Sequence, residues 1–231
     1  MTLEGKHALI TGGGTGIGLA IAHMLAERGA HVTITGRRQE VLEEVATKGM
    51  TAMAMDVRSE EDVMTKIATA VEARGPIQIC VPNAGIATGK AAHKTDMDFW
   101  RDMMATNLDG AFLTIRESLR SMRETDWGRV IAVSSMAGLK GLPGAACYSA
   151  SKHGMIGLIR SLSEEYMGKP YTFNSLCPGY VDTPIVTRNT QSISERAGIS
   201  EDEARNMMVK ANRHKRLITV EEVAAAAAWL V

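Results

Sequence analysis

Short apolar runs alternate along the chain with longer stretches whose apolar residues recur at helical spacing. The runs His7–Thr11, His31–Thr35, Thr51–Met55, Ile77–Pro82, Arg129–Ser134 and Thr172–Cys177 read as strands. They are apolar nearly throughout, as expected of strands covered on both faces. Between them, Gly16–Arg28, Gln39–Thr47, Glu60–Ala73, Met97–Arg123 and Ala146–Met167 read as helices. This alternation predicts right-handed crossovers and an α/β fold: a doubly wound parallel sheet flanked by helices, in a single domain over 1–231. One region breaks the rhythm. Residues 184–216 are polar and charged, with helical pieces such as Glu201–Lys210. Following the sixth strand, they are expected to form a lid over a ligand at the carboxyl end of the sheet. Thr219–Val231 reads as a last helix, with Thr219 as its N-cap and Glu222 at the third helical position.

Composition narrows the partners. The chain has 26 Lys+Arg and 26 Asp+Glu, so no charge excess points to nucleic acid or an anionic membrane. No apolar run approaches the ~20 residues of a membrane span, and no signal peptide is expected ahead of the first strand. Cys80, Cys147 and Cys177 are far apart, and the six histidines occur singly. Neither a disulfide framework nor a metal site is expected, and a reducing cytoplasm is the simplest setting.

The first strand runs into Thr11-Gly12-Gly13-Gly14-Thr15-Gly16-Ile17-Gly18, which opens a helix. Glycines there let the backbone approach a pyrophosphate, and the helix N-terminus offers free N–H groups to it. Such a turn also serves as a plain strand-to-helix connection, so it needs support from elsewhere. The second strand ends in Thr35-Gly36-Arg37-Arg38, with no carboxylate at its tip. A guanidinium there suits the 2′-phosphate of NADP(H), where an acid would suit the ribose of NAD(H). Tyr148-Ser149-Ala150-Ser151-Lys152 places Tyr148 and Lys152 at i and i+4, on one helix face. A phenol with an ordinary pKa near ~10 is a poor acid–base group at neutral pH, and a neighbouring ammonium is expected to lower that value.

The glycine spacing, T-G-x-x-x-G-x-G, is similar to that of the short-chain dehydrogenase/reductase family, and the remaining motifs resemble that family in the same order over nearly the whole chain. The resemblance implies a Rossmann-like fold and hydride transfer between a nicotinamide cofactor and a carbonyl or alcohol. It implies cofactor contacts at Gly12, Thr15, Gly16, Ile17 and Gly18, at Arg37, and at Asp56 and Val57, which resemble an adenine-contacting pair. Asn83-Ala84-Gly85 resembles the end of an N-N-A-G motif, with Pro82 replacing the first Asn. Pro178, Gly179, Val181 and Thr183 resemble a segment that contacts the nicotinamide amide. Tyr148 would then be the acid/base, and Lys152 would tune it and hold ribose. One of Ser134 and Ser135, with Ser135 favoured, would hold the substrate oxygen. Asn107, in Asn107-Leu108-Asp109-Gly110, would distort its helix and support a water relay. Thr15 stands where the family's NADP users often carry a basic residue, a departure that weighs against NADP(H).

The general pattern, including Thr183-Pro184-Ile185-Val186, resembles the family's 3-oxoacyl and polyketide ketoreductase branch. That implies an NADP(H)-dependent reductase of a 3-oxoacyl thioester or similar ketone. The alternatives are an NAD-dependent dehydrogenase of a secondary or cyclic alcohol, and a non-catalytic cofactor-sensing regulator. The resemblance further implies a homodimer or homotetramer packed through Met97–Arg123 and Ala146–Met167, and a seventh strand beyond Val231.

Overall fold

The computed structural model describes residues 2–231. In chain order its main elements are β1 (His7–Thr11), α1 (Gly16–Glu27), β2 (His31–Gly36), α2 (Gln39–Val45), β3 (Met50–Ala54), α3 (Glu60–Arg74), β4 (Ile77–Val81), α4 (Met97–Met104), α5 (Gly110–Met122), β5 (Gly128–Val133), α6 (Ala146–Glu165), β6 (Tyr171–Leu176), α7 (Pro184–Ala197), α8 (Glu201–Ala211) and α9 (Val220–Leu230). The strands form one parallel sheet in the order β3-β2-β1-β4-β5-β6. This is the doubly wound α/β fold that the alternating pattern predicts.

Both faces of the sheet are covered, which explains the continuous apolar strands. Ala8, Ile10, Val32, Ile34, Ile79 and Val81 pack on one side with Ile21, Leu25, Ala224 and Ala227 of α1 and α9. Leu9, Cys80, Val130 and Phe173 pack on the other with Ile67, Ile115, Leu119, Met155 and Ile159 of α3, α5 and α6. The order in which strands are added reverses between β1 and β4, and that switch point opens a crevice at the strands' carboxyl ends. α9 begins with the expected capping box: Thr219 and Glu222 satisfy each other's backbone N–H groups.

The single helix expected over Met97–Arg123 is corrected. α4 and α5 are joined by a π turn, Ala105–Asp109, centred on Asn107. The turn lets α5 start with Gly110, where a Cβ would come within 2.8 Å of Val57 Cγ2. The Gly of the Asn-x-x-Gly element therefore serves the packing of α5 on the loop after β3.

Candidate active site

The glycine-rich turn is built for a close approach. Gly12 has φ +64°, and a Cβ there would come 3.0 Å from both Ala84 Cα and Asn83 Nδ2. A Cβ at Gly18 would collide with the Gly12 carbonyl oxygen. Asn83 braces the turn by donating through Nδ2 to the carbonyls of Thr11 (2.9 Å) and Gly12 (3.2 Å). Thr11 Oγ1 accepts from the N–H groups of Asn83 and Ala84, each at 3.0 Å. Asn83 thus holds the cradle as well as standing beside it, a role its sequence position alone does not show. Pro82 costs the ladder little, since its carbonyl still accepts from Val133 N–H at 3.0 Å.

At the far end of the crevice, Thr15 is exposed and its side chain makes no cap bond to α1. Arg37 is exposed just past β2. Asp56 is already engaged: Arg58 donates to it from Nη2 at 2.7 Å and from Nε at 3.1 Å. Those bonds, chiefly, hold its carboxyl below the ordinary value. An adenine contact would have to share Asp56 with Arg58. Val57 is buried against Gly110.

β5 and α6 set the reacting groups. Lys152 is 4% exposed and is tied to β5 at both ends. Its Nζ donates to the Val133 carbonyl at 2.9 Å, and its own carbonyl accepts from Ser134 Oγ at 3.1 Å. Burial in so apolar a place lowers its pKa to about 8. Ser134 is engaged with the α6 backbone, whereas the Ser135 hydroxyl faces Tyr148. Ser135 Oγ also accepts from Ala137 N–H at 3.1 Å, which aims it. Burial opposes the lowering of the Tyr148 pKa expected from the ammonium. Lys152 Nζ lies 5.9 Å from the centroid of the ring, and burial pushes the phenol up while the Ser135 contact works the other way. Tyr148 is therefore a protonated phenol at neutral pH.

Asn107 is 0% exposed, and both ends of its amide are engaged. Oδ1 accepts from Ile86 N–H at 2.8 Å, and Nδ2 donates to the Ile86 carbonyl at 2.9 Å and to Ser151 Oγ at 3.1 Å. Ser151 in turn donates to the Tyr148 carbonyl at 2.8 Å. Asn107 therefore clamps the segment after β4 to the first turns of α6. Ser151, which the sequence reading passed over, is the link between them.

After β6, the Pro178 carbonyl accepts from Met136 N–H at 2.8 Å. Thr183 lies over the glycine turn: a Cβ at Gly16 would stand 3.2 Å from its Cγ2. Val181 pairs with Ile218 in an isolated bridge, beside which buried Asn212 holds the Tyr180 N–H (3.0 Å) and carbonyl (2.8 Å). A Cβ at Gly179 would strike Asn212 Oδ1. Asn212, which also donates to the Arg216 carbonyl at 2.8 Å, was missed because its contact with Tyr180 is long-range.

These elements enclose a cleft of about 470 Å³, lined by Ser135, Tyr148, Lys152, Gly85 and Thr183 and, from α7 and α8, by Val186 and Met208. Among the described residues no cluster of metal-ligating side chains is found, and no helix is long and apolar enough to cross a membrane. The glycine cradle, the exposed Arg37 and the buried Lys152 beside Gly85 fit a nicotinamide dinucleotide lying from β2 across to β5.

The model of the family described as short chain dehydrogenase matches residues 6–194, and the chain belongs to that family. It is an oxidoreductase of the short-chain dehydrogenase/reductase type. A D-beta-hydroxybutyrate dehydrogenase of Rhizobium meliloti is 34% identical over 97% of this chain and 91% of its own length. A 3-oxoacyl-[acyl-carrier-protein] reductase of Vibrio cholerae is 34% identical over 100% and 91%. A crystal structure of an actinorhodin polyketide ketoreductase variant with NADPH superposes with a TM-score of 0.93 at 33% identity, covering 97% of this chain and 89% of that one.

Proposed function

We propose that the chain is an NADP(H)-dependent reductase of a 3-oxoacyl thioester or similar ketone, working in the cytoplasm as a homodimer or homotetramer. The observation that carries this reading is the convergence of the Ser135 and Tyr148 hydroxyls in an apolar cleft, with the buried cation of Lys152 behind them. When bound, the nicotinamide supplies the hydride; its holders would be the Gly12–Gly18 turn, Arg37, Asn83–Gly85, Lys152 and Thr183. Ser135 donates a hydrogen bond to the substrate carbonyl oxygen and orients it. Tyr148, kept protonated by burial, gives its proton to that oxygen as negative charge develops there. Lys152 stabilises the phenolate left behind. The relay that replaces the proton passes the main chain at Asn107, whose side chain is occupied. α7 and α8, the lid segment, close over the substrate and exclude water.

A second reading, NAD-linked oxidation of a hydroxy compound, draws on Thr15, which supplies no positive charge in the glycine turn, and on the hydroxybutyrate dehydrogenase relative. Cofactor choice separates the two. Arg37→Asp replaces a guanidinium by a charge that repels phosphate. It is expected to lower the NADPH/NADH ratio of kcat/KM by about a hundredfold, measured on one ketone with both cofactors. An unchanged ratio would remove Arg37 from the phosphate site.

A further inference from the structure

The cleft walls are mostly apolar, with side chains such as Ile86, Leu142, Ile185, Ile193, Met207 and Met208. Two cations line the cleft, Lys152 and Arg196, and no described Asp or Glu does. Lys152 is committed to β5. Arg196, exposed in the last turn of α7, has a different setting. Its Nε donates to the Ser192 carbonyl at 2.9 Å, and its Nη1 donates across to the Gly89 carbonyl at 2.8 Å.

Gly89 is where three segments meet. A Cβ there would stand 3.0 Å from the Gly144 carbonyl oxygen and 3.6 Å from Arg196 Nη2. The next residue, Lys90, pairs with Ala145 in an isolated bridge. The guanidinium therefore lies where the loop after β4 meets the segment leading into α6. Nearby cations are neutralised: Lys90 pairs with Asp96 at 2.6 Å, and Arg205 with Asp182 at 3.6 Å. Arg196 pairs with no carboxylate among the described residues.

A neutral carbonyl is a weak partner for a guanidinium. Anionic oxygens make bonds about twice as strong, and a guanidinium can take two of them side by side. An apolar cleft with no acidic lining repels no anion. We propose that Arg196 binds an anionic group on the arm of the substrate that leaves the cleft, displacing the Gly89 carbonyl. The anion is the carboxylate of a free 3-oxo acid or the phosphate of a carrier-linked thioester. The assignment rests on the reductase reading above.

The test is kcat/KM for two substrate pairs, each a charged compound and its neutral counterpart. Acetoacetate against methyl acetoacetate reports the carboxylate; acetoacetyl-coenzyme A against the acetoacetyl thioester of N-acetylcysteamine reports the phosphate. Arg196→Gln can still donate to the Gly89 carbonyl, so the contact between α7 and that loop survives while the charge is lost. The charged-to-neutral ratio is expected to fall about tenfold in Arg196→Gln for one pair, which identifies the anion. In Arg196→Lys it is expected to stay within about threefold of the wild-type ratio. Unchanged ratios in both pairs, with activity falling equally on charged and neutral compounds, would make Arg196 a mere strap and overturn the proposal. A wild-type protein that reduces none of the four compounds with either cofactor would instead sink the reductase reading, and this assignment with it.

Discussion

Tyr148→Phe is expected to lower kcat for ketone reduction by about 10²–10⁴-fold while leaving the dissociation constant of the reduced cofactor within about threefold. The substitution removes one oxygen and keeps the ring, so the packing of α6 is retained. The hydroxyl faces Ser135, with Tyr180 also nearby, and no backbone group of the described residues bonds to it. The phenol is also the proton source best suited to the reaction here, because burial holds it protonated well above neutral pH. Lys152, with a pKa of about 8, already donates to the Val133 carbonyl and lies 5.9 Å from the centroid of the Tyr148 ring. Steady-state rates, together with cofactor titration by fluorescence, check both halves. An unchanged kcat would take the proton-donor role from Tyr148.

Lys152→Met is expected to cost about 10²-fold or more in kcat and, at the same time, to change how stability depends on pH. The sign follows from burial. The ammonium has a folded pKa of about 8 against an ordinary value of 10.5. Between those values the unfolded chain binds the proton and the folded chain does not, so the wild-type protein gains stability as pH rises from about 8 to 10.5. The full gain is on the order of 3 kcal/mol. Below about 8 both states are charged and the burial cost is constant. Methionine has no proton to lose, so the difference in unfolding free energy between variant and wild type should shrink or reverse across that window. Denaturant unfolding at pH 7 and pH 10 measures it. Parallel curves would mean that Lys152 is better solvated than its 4% exposure implies.

Much of the fold was legible in the sequence because parallel strands buried on both faces leave long apolar runs. The strand at His7–Thr11 was read with its observed ends, and the others within a residue or so, where caps and turns blur any boundary. The resemblance led to a distortion at Asn107, but the form and extent of the π turn at Ala105–Asp109 were not legible: the apolar period runs through it, and Asn107 reaches across to Ile86. The Tyr148/Lys152 pair was visible as helical spacing. What their surroundings do to them was not, since burial depends on residues distant in sequence. The same holds for Ser134, diverted to the Lys152 carbonyl, for Asp56, held by Arg58, and for Asn212, whose partner Tyr180 is reached only when the chain returns from α8.

The reductase reading is tested most directly by initial rates of acetoacetyl-thioester reduction, followed at the reduced-nicotinamide absorbance with NADPH and NADH in parallel. The expected result is turnover that NADPH supports better than NADH and that Tyr148→Phe lowers by about a hundredfold or more. Cofactor binding without turnover of the thioester, of simple ketones or of the corresponding alcohols would contradict it and leave a cofactor-sensing protein built on the same fold.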